Sequence, residues 1–491
     1  MKCFDPFTPF FPQWQRHLHS LRHRLHDPSV SVPVLYQLQL LFADWIRDPS
    51  LDPTPHGPGS RRRHWPIRLT FWTFLAQVFA FGSSCRDAVR QAQAQAHLQG
   101  RPAPKDDTGA YCEARRRLPL ERLLAAIHEI ASRLELSSSR DDFWRNHRVC
   151  LLDGTTLTAD DTEANRRAFA QPKSQAPGCG FPLVRLVALF SLATGALLGF
   201  VTGTYLQSEL TLAKSLLEQL APGDVLLADR LFGAYRVLVM ARARGVHVVA
   251  RLHATRKADL RQGRALGRLD RLVSWRRARE VGAGFTPEQW RALPETLEVR
   301  LVRFTVQVRG FRSRTVTLVT TLLDPKQYPV SALAALYRRR WQIELNFRQI
   351  KTALGMEHLA VRTPAMIHRS VAMHLLAYQL TRALMLQAAL VWSQALDRIS
   401  FQGSLDAIHH YADALRQARN RRARQTLIAQ LLHTLAFDAV PERPDRHEPR
   451  ALKRRLKAYP RLNKPRRLFR EVSAHERRRR AATRPSKRPA S

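Results

Sequence analysis

Residues 147–153, HRVCLLD, and 225–230, VLLADR, each read as a short apolar run that ends on an aspartate. Apolar runs of this length, bounded by turn residues, are the pattern of buried strands. A carboxylate that closes such a run needs a reason, because a buried charge is costly unless it is paired or holds a metal. Strand ends in α/β sheets are also where ligands sit. Each aspartate has an ordinary reading as well. Asp153 precedes Gly154, and Asp-Gly is a frequent turn; Asp229 precedes Arg230, which can be a surface ion pair.

Working outward, residues 183–192 and 196–204 read as two buried strands joined at Thr194-Gly195. The span Leu186–Leu206 carries no charge and is long enough for a membrane helix. The Thr-Gly at its centre and Gly199 and Gly203 beyond it favour a hairpin instead. Glu209–Leu220 then reads as a helix, Val225–Ala228 as a strand, Gly233–Arg244 as a helix and Val246–Leu252 as a strand. That order suits a mixed α/β sheet. Residues 253–322 are rich in Arg and β-formers, as in Leu301–Val308 and Thr315–Leu322, and predict a strand-rich insertion. Ser331–Leu354 predicts a long helix, with more helix at 366–392 and 404–436. Upstream, residues 66–136 are helical in pattern, with Arg115-Arg116-Arg117 just before the last helix.

The charge balance is unusual. The 491 residues hold 80 Lys and Arg against 40 Asp and Glu, a net charge of +40. Such an excess points to a polyanion, most simply nucleic acid, and away from a metabolic enzyme acting on small neutral substrates. A membrane-surface protein or a merely basic tail are the bland alternatives. Residues 451–491 carry only +14 of the total, which leaves +26 for residues 1–450. The excess therefore belongs to the folded part. Hydrophobic residues at 45% exclude wholesale disorder. Five cysteines (Cys3, Cys85, Cys112, Cys150, Cys179) stand far apart with no zinc spacing. Their odd number in a long chain and the absence of an apolar leader predict reduced thiols in a cytoplasm and no membrane partner.

These shifts divide the chain into an arm and linker (1–60, closed by Pro53, Pro55, Gly57, Pro58 and Gly59), a helical DNA-binding domain (61–145), the first part of the sheet domain (146–252), the insertion (253–322), the second part with C-terminal helices (323–440), and a basic tail (441–491) expected to be disordered without DNA.

The strongest signal is YRRRWQIELNFRQIK, Tyr337–Lys351. At 100° per residue, Tyr337, Arg340, Glu344 and Lys351 share one narrow face. Leu336, Ile343, Phe347, Ile350 and Leu354 form an adjacent apolar stripe. A solvated Arg340–Glu344 pair would account for the charges, but not for Tyr337 on the same face.

The spacing Tyr337–(2)–Arg340–(3)–Glu344–(6)–Lys351 resembles the signature of bacterial DDE transposases of the insertion-sequence-four group. Asp153-Gly154-Thr155-Thr156, Asp161–Phe169 and Ala228-Asp229-Arg230 resemble the stretches around that family's first two acids. Thr70–Val89 and Tyr111–Pro119 are similar to its N-terminal domain. The likeness covers roughly residues 60–440. Leu231 departs from it, since many relatives have Gly or Asn there. The resemblance implies an RNase H-like, mixed-sheet catalytic domain interrupted by a β-rich insertion, with a helical N-terminal domain. It implies Asp153, Asp229 and Glu344 as catalytic metal ligands for two Mg²⁺, with Mn²⁺ as a substitute. Arg340 and Lys351 would hold phosphates and Tyr337 would donate to one. Trp275 and Trp290, in the insertion, are candidates to stack on a flipped base, although packing is the commoner role of Trp. The expected activity is cleavage at element ends and joining of 3′ ends to target DNA, by a homodimer on DNA. The resemblance also implies a nucleoid-associated protein. A metal-dependent nuclease without strand transfer, and a decayed or domesticated DNA-binding protein, remain as alternatives.

Overall fold

The computed structural model describes residues 38–441, apart from 43, 47–64, 81, 99, 101, 139–141, 173–177, 254–255, 257, 283–284, 307–313 and 419, together with residue 468. The tail expected to be disordered and most of the arm lie outside the described residues.

The sheet is built around β1, Val149–Ala159. It pairs antiparallel with β2 (Leu183–Ser191), which forms the expected hairpin with β3 (Leu197–Thr204). On its other side β1 runs parallel to β4 (Val225–Ala228), and β4 to β5 (His247–Arg251). The order of this part is β3-β2-β1-β4-β5. The hairpin turn depends on Gly195, at φ +68, where a Cβ would lie 2.2 Å from the Arg382 guanidinium. That guanidinium is buried and donates to the Thr194 carbonyl at 2.7 Å. Only a glycine combines this backbone with such an approach. Among the described residues no helix is long and apolar enough to cross a membrane.

Two expectations change and a third is refined. First, β1 does not stop at Asp153 but runs six residues further, so Asp153-Gly154 is mid-strand and not a turn. Backbone pairing to β2 continues through Thr158 and outweighs the local turn preference of Asp-Gly. Second, the single helix expected over 209–220 is two short ones, Glu209–Leu212 and Lys214–Leu217. Third, the strands of the insertion are β6 (Arg264–Gly267), β7 (Asp270–Arg276), β8 (Thr296–Val306) and β9 (Arg314–Thr320). They extend the same sheet, because β9 pairs antiparallel with β5. A two-residue strand, β10 (His358–Leu359), pairs parallel with the end of β1.

Alternating residues feed two cores. Leu151, Leu157, Val225 and Leu227 pack with the helix Pro364–Val391, whereas Cys150, Leu152, Leu226 and Ala228 pack with the helix Tyr235–Ala243. Of the N-terminal helices, Ile67–Phe79 and Leu120–Leu136 belong to the first of these cores, whereas Cys85–Leu98 and Thr108–Arg117 pack with Trp65 in a smaller third cluster. Gln379 ties three elements together: its Nε2 donates to the Ile127 and Leu197 carbonyls, and its Oε1 accepts the Leu197 N–H. Part of the supposed arm also packs here. Phe42 stacks on Phe79 with ring centroids 5.7 Å apart, and the Arg133 guanidinium lies 4.1 Å over Trp45.

The insertion is fastened by a buried ion pair. Arg300 on β8 meets Asp270 on β7 through two bonds of 2.9 and 2.6 Å, and also donates to the Tyr328 carbonyl at 2.7 Å. Neither side chain is more than 3% exposed. Removing one partner leaves the other charged and buried, at a cost of about 3–5 kcal/mol. Asp270→Ala should lower unfolding stability by that amount in urea titrations. A loss below about 1 kcal/mol would contradict a fully desolvated pair.

Candidate active site

Asp153 projects from the face of β1 that carries Leu151 and Leu157. The register of β1 and β4 aligns Leu152 with Ala228. The next residues, Asp153 and Asp229, therefore come from neighbouring strands side by side. The Asp153 Oδ1 accepts the Gly154 N–H at 2.8 Å, and the Asp229 Oδ1 accepts the Leu231 N–H at 2.8 Å. The second bond needs only the backbone N–H of residue 231, so the unusual Leu231 still supplies it.

Glu344 arrives from the helical stretch that follows the insertion. The continuous helix expected over Ser331–Leu354 is in three pieces: Val330–Arg339, Gln342–Arg348 and a π turn, Gln349–Ala353. Between the first two, the Trp341, Ile343 and Glu344 N–H groups bond three residues back, at 3.3, 3.2 and 3.1 Å. The chain tightens to a 3₁₀ turn there and widens at the π turn, so side chains advance by unequal angles. Leu333, Leu336, Ile343, Phe347, Ile350 and Leu354 still form the buried stripe.

Arg340 sits at the tightened turn and joins the elements. Its Nη2 donates to Glu344 Oε1 at 2.7 Å, and its Nη1 lies 3.8 Å from Asp153 Oδ2. A single cation thus stands between a strand carboxylate and a helix carboxylate. Arg340 and Asp153 are 18% and 20% exposed, so water screens them weakly. The Lys351 Nζ lies 3.5 Å from Thr155 Oγ1, two residues along the same face of β1. Burial raises the Tyr337 phenol above its ordinary value, against the charges of Arg340 and Arg251, and with Asp229 adding to the rise. The structure therefore gathers Asp153, Asp229, Glu344, Tyr337, Arg340 and Lys351 into one region.

Trp275 and Trp290 behave differently. They are 8% and 6% exposed and belong to the second core. Arg256 covers the Trp275 ring at 4.1 Å, and the Trp290 indole N–H donates to the Ala278 carbonyl at 2.9 Å. Packing accounts for both rings in this state. Trp341, which follows Arg340 in sequence, is by contrast 57% exposed. An apolar residue inside a helical pattern reads as core, which is why sequence reasoning passed over it.

A fourth carboxylate was also missed. Glu209 leans over Gly154, where an added Cβ would lie 2.6 Å from its Cδ, and it pairs with Arg185 at 3.4 Å. Burial pushes the Glu209 carboxyl up, against Arg185, and the Asp229 charge adds to the rise. Its signal was Gly154 itself, since a glycine within a strand often marks a close approach.

The acids stand together at some cost. Burial pushes the Asp153 carboxyl up to about 7; the Gly154 N–H opposes this, Asp229 adds to it, Arg340 opposes and Glu209 adds. The folded chain therefore binds this proton more tightly than the unfolded chain does. Stability from this group is full below about pH 4 and is lost as pH rises to about 7. At about 1.4 kcal/mol per pH unit the whole span is worth roughly 4 kcal/mol. Asp153→Asn should accordingly stabilise the chain, by more at pH 8 than at pH 5 in urea titrations. An equal difference at both pH values would contradict this reading.

The chain resembles several known proteins. Residues 144–380 match the family described as a transposase DDE domain. The transposase InsG for insertion sequence element IS4, from Escherichia coli K12, is 25% identical over 410 residues, which are 82% of this chain and 88% of that protein. The putative transposase InsZ of the same organism is 30% identical over 105 residues, 21% of this chain and 35% of its own length. Among solved structures, the piggyBac transposase synaptic complex with hairpin DNA aligns with a TM-score of 0.41 and 8% identity, covering 82% of this chain and 83% of that one. The chain is thus similar over 82% of its length to a transposase of the insertion-sequence-four type, and its residues 144–380 match the transposase DDE domain.

Proposed function

We propose that this chain is a transposase that binds the ends of an insertion sequence, cleaves phosphodiester bonds there and joins the freed 3′ ends to target DNA. One observation carries the reading: Arg340 lies between Asp153 on β1 and Glu344 on the helix, and the register of β1 with β4 sets Asp229 beside Asp153. The sheet order β3-β2-β1-β4-β5, with β1 antiparallel to β2 and parallel to β4, supports an RNase H-like domain beneath them.

Three carboxylates suit a hard divalent cation such as Mg²⁺, or Mn²⁺ in its place. Among the described residues no three His, Cys, Asp or Glu side chains are close enough to grip one ion as they stand. A positive group already lies between Asp153 and Glu344, so the site is shaped for a cation and Arg340 fills that role. Asp153, Asp229 and Glu344 would hold two Mg²⁺ ions. When bound, they would supply activation of a water or 3′-hydroxyl oxygen and stabilisation of the leaving oxygen.

The chain's own residues do the rest. Arg340 is freed from Glu344 when other cations take its place, and its planar fork then fits a phosphate near the scissile bond. Lys351, beside Thr155, supplies a second positive charge. Tyr337 donates its hydroxyl to a phosphate oxygen. Trp341 offers an exposed face for a base displaced from its stack. The helical domain 61–145 selects the element ends, and the remaining Arg-rich surface holds the backbone, so affinity falls steeply with salt. Cutting two ends together calls for a homodimer on DNA, acting in the cytoplasm at the nucleoid.

With labelled element ends and Mg²⁺, the purified chain should cut specifically at the ends. Glu344→Gln and Asp153→Ala should abolish cutting and leave end binding within a few fold. Absence of end-specific cleavage, or full cleavage by Glu344→Gln, would sink the proposal.

A further inference from the structure

The run Arg115-Arg116-Arg117 reads in sequence as a basic DNA-facing patch, but Arg115 turns inward. It is 8% exposed and lies 4.9 Å from the Phe74 ring centroid and 5.0 Å from that of Tyr111. A buried guanidinium needs an anionic partner. Its electrostatic partners are Tyr111, Cys85 and Cys112. The Nη2 donates to Cys85 Sγ at 3.1 Å and to Cys112 Sγ at 3.6 Å, while Nη1 reaches Gln77 Oε1 at 3.4 Å. Gln77 Nε2 in turn donates to Cys85 Sγ at 3.9 Å.

The two sulfurs are 3.8 Å apart, with the Cys112 thiol donating to Cys85. Cys85 opens the helix Cys85–Leu98, and a helix N-terminus favours a thiolate. Cys112 lies within Thr108–Arg117. Both are half-buried, so a small oxidant can reach them, unlike the fully buried Cys150. The Cys112 hydrogen bond lowers the Cys85 thiol to about 5 against the effect of burial, with the Arg115 charge and Gln77 assisting. Its hydrogen bond to Cys85, together with burial, raises the Cys112 thiol. The pair thus consists of an attacking sulfur and a protonated neighbour that can resolve it.

We infer that Cys85 and Cys112 form a redox-active dithiol, which hydrogen peroxide oxidises to an intramolecular disulfide linking the helices Cys85–Leu98 and Thr108–Arg117. The Cys85 thiolate attacks the peroxide O–O bond, gains an S–OH and releases hydroxide, which takes up a proton to become water. Cys112 then loses its proton and attacks the Cys85 sulfur. The S–S bond forms as the S–O bond breaks, and the second hydroxide leaves as water. Two thiols are oxidised by two electrons and one peroxide is reduced to two waters. The sulfurs need close only from 3.8 Å to about 2.05 Å. The site is separate from the carboxylates and does not depend on the proposed reaction.

The test uses the full-length, fully reduced chain treated with hydrogen peroxide, then alkylated with N-ethylmaleimide and digested for mass spectrometry. A Cys85–Cys112 linked peptide should appear, about 2 Da lighter than the two thiol peptides together, and should disappear with dithiothreitol. Before oxidation, Cys85 should alkylate about tenfold faster than Cys112 at pH 7. Cys112→Ser should leave Cys85 as a sulfenic acid that dimedone captures. If the wild-type chain yields no linked peptide, with the two sulfurs alkylated or over-oxidised separately, the inference is overturned.

Discussion

One guanidinium, that of Arg340, stands between a carboxylate on the central strand and a carboxylate on the helix that covers it. The arrangement answers an electrostatic demand. Asp153 follows the buried Leu151 and Leu152 in the middle of a strand, and Asp229 lies beside it at the end of the next strand. Such a group is tolerated only if cations face it. Arg340 provides one from the 3₁₀ turn, and Lys351 provides another from the π turn, through its neighbour Thr155. Irregular helix at this place is therefore tied to the position of charges. A regular helix would advance each of these side chains by the same angle.

The sheet positions the two aspartates before any side chain contributes. Parallel pairing of β1 with β4 sets their adjacency, and the β2–β3 hairpin covers the other side of β1. The insertion then lengthens this sheet through β9, so that Arg251 at the end of β5 acts on Tyr337 from the seam between the two parts. The buried Arg300–Asp270 pair secures the added strands. The basic excess outside the tail belongs to this framework. A few of its members, Arg300, Arg382 and Arg115, are turned inward to serve as structural cations.

Much of this was legible in the chain. The hairpin followed from Thr194-Gly195, whose Gly195 does adopt a left-handed backbone. Asp229 at the end of β4 followed from an apolar run closed by an acid, and the Tyr337–Lys351 spacing pointed to the acid on the helix. The rest depended on contacts between distant residues. Asp153-Gly154 has the local look of a turn, and only pairing with β2 and β4 keeps it extended. Glu209 is 55 positions from Gly154 in sequence, and nothing local says that its side chain covers that glycine. Arg115 shares a run with two other arginines, so its inward turn toward Cys85 could not be read from charge patterning. Trp275 and Trp290 could be placed in the insertion but not judged buried.

The central claim is that Arg340 holds a cation's place among the acids and moves to a phosphate when DNA and metal arrive. A crystal structure of the chain with an element-end duplex and Mn²⁺, examined for anomalous scattering, tests it most directly. The account predicts Mn²⁺ bound by Asp153, Asp229 and Glu344, with the Arg340 guanidinium on a DNA phosphate. Mn²⁺ bound elsewhere, with Arg340 still between Asp153 and Glu344, would contradict it.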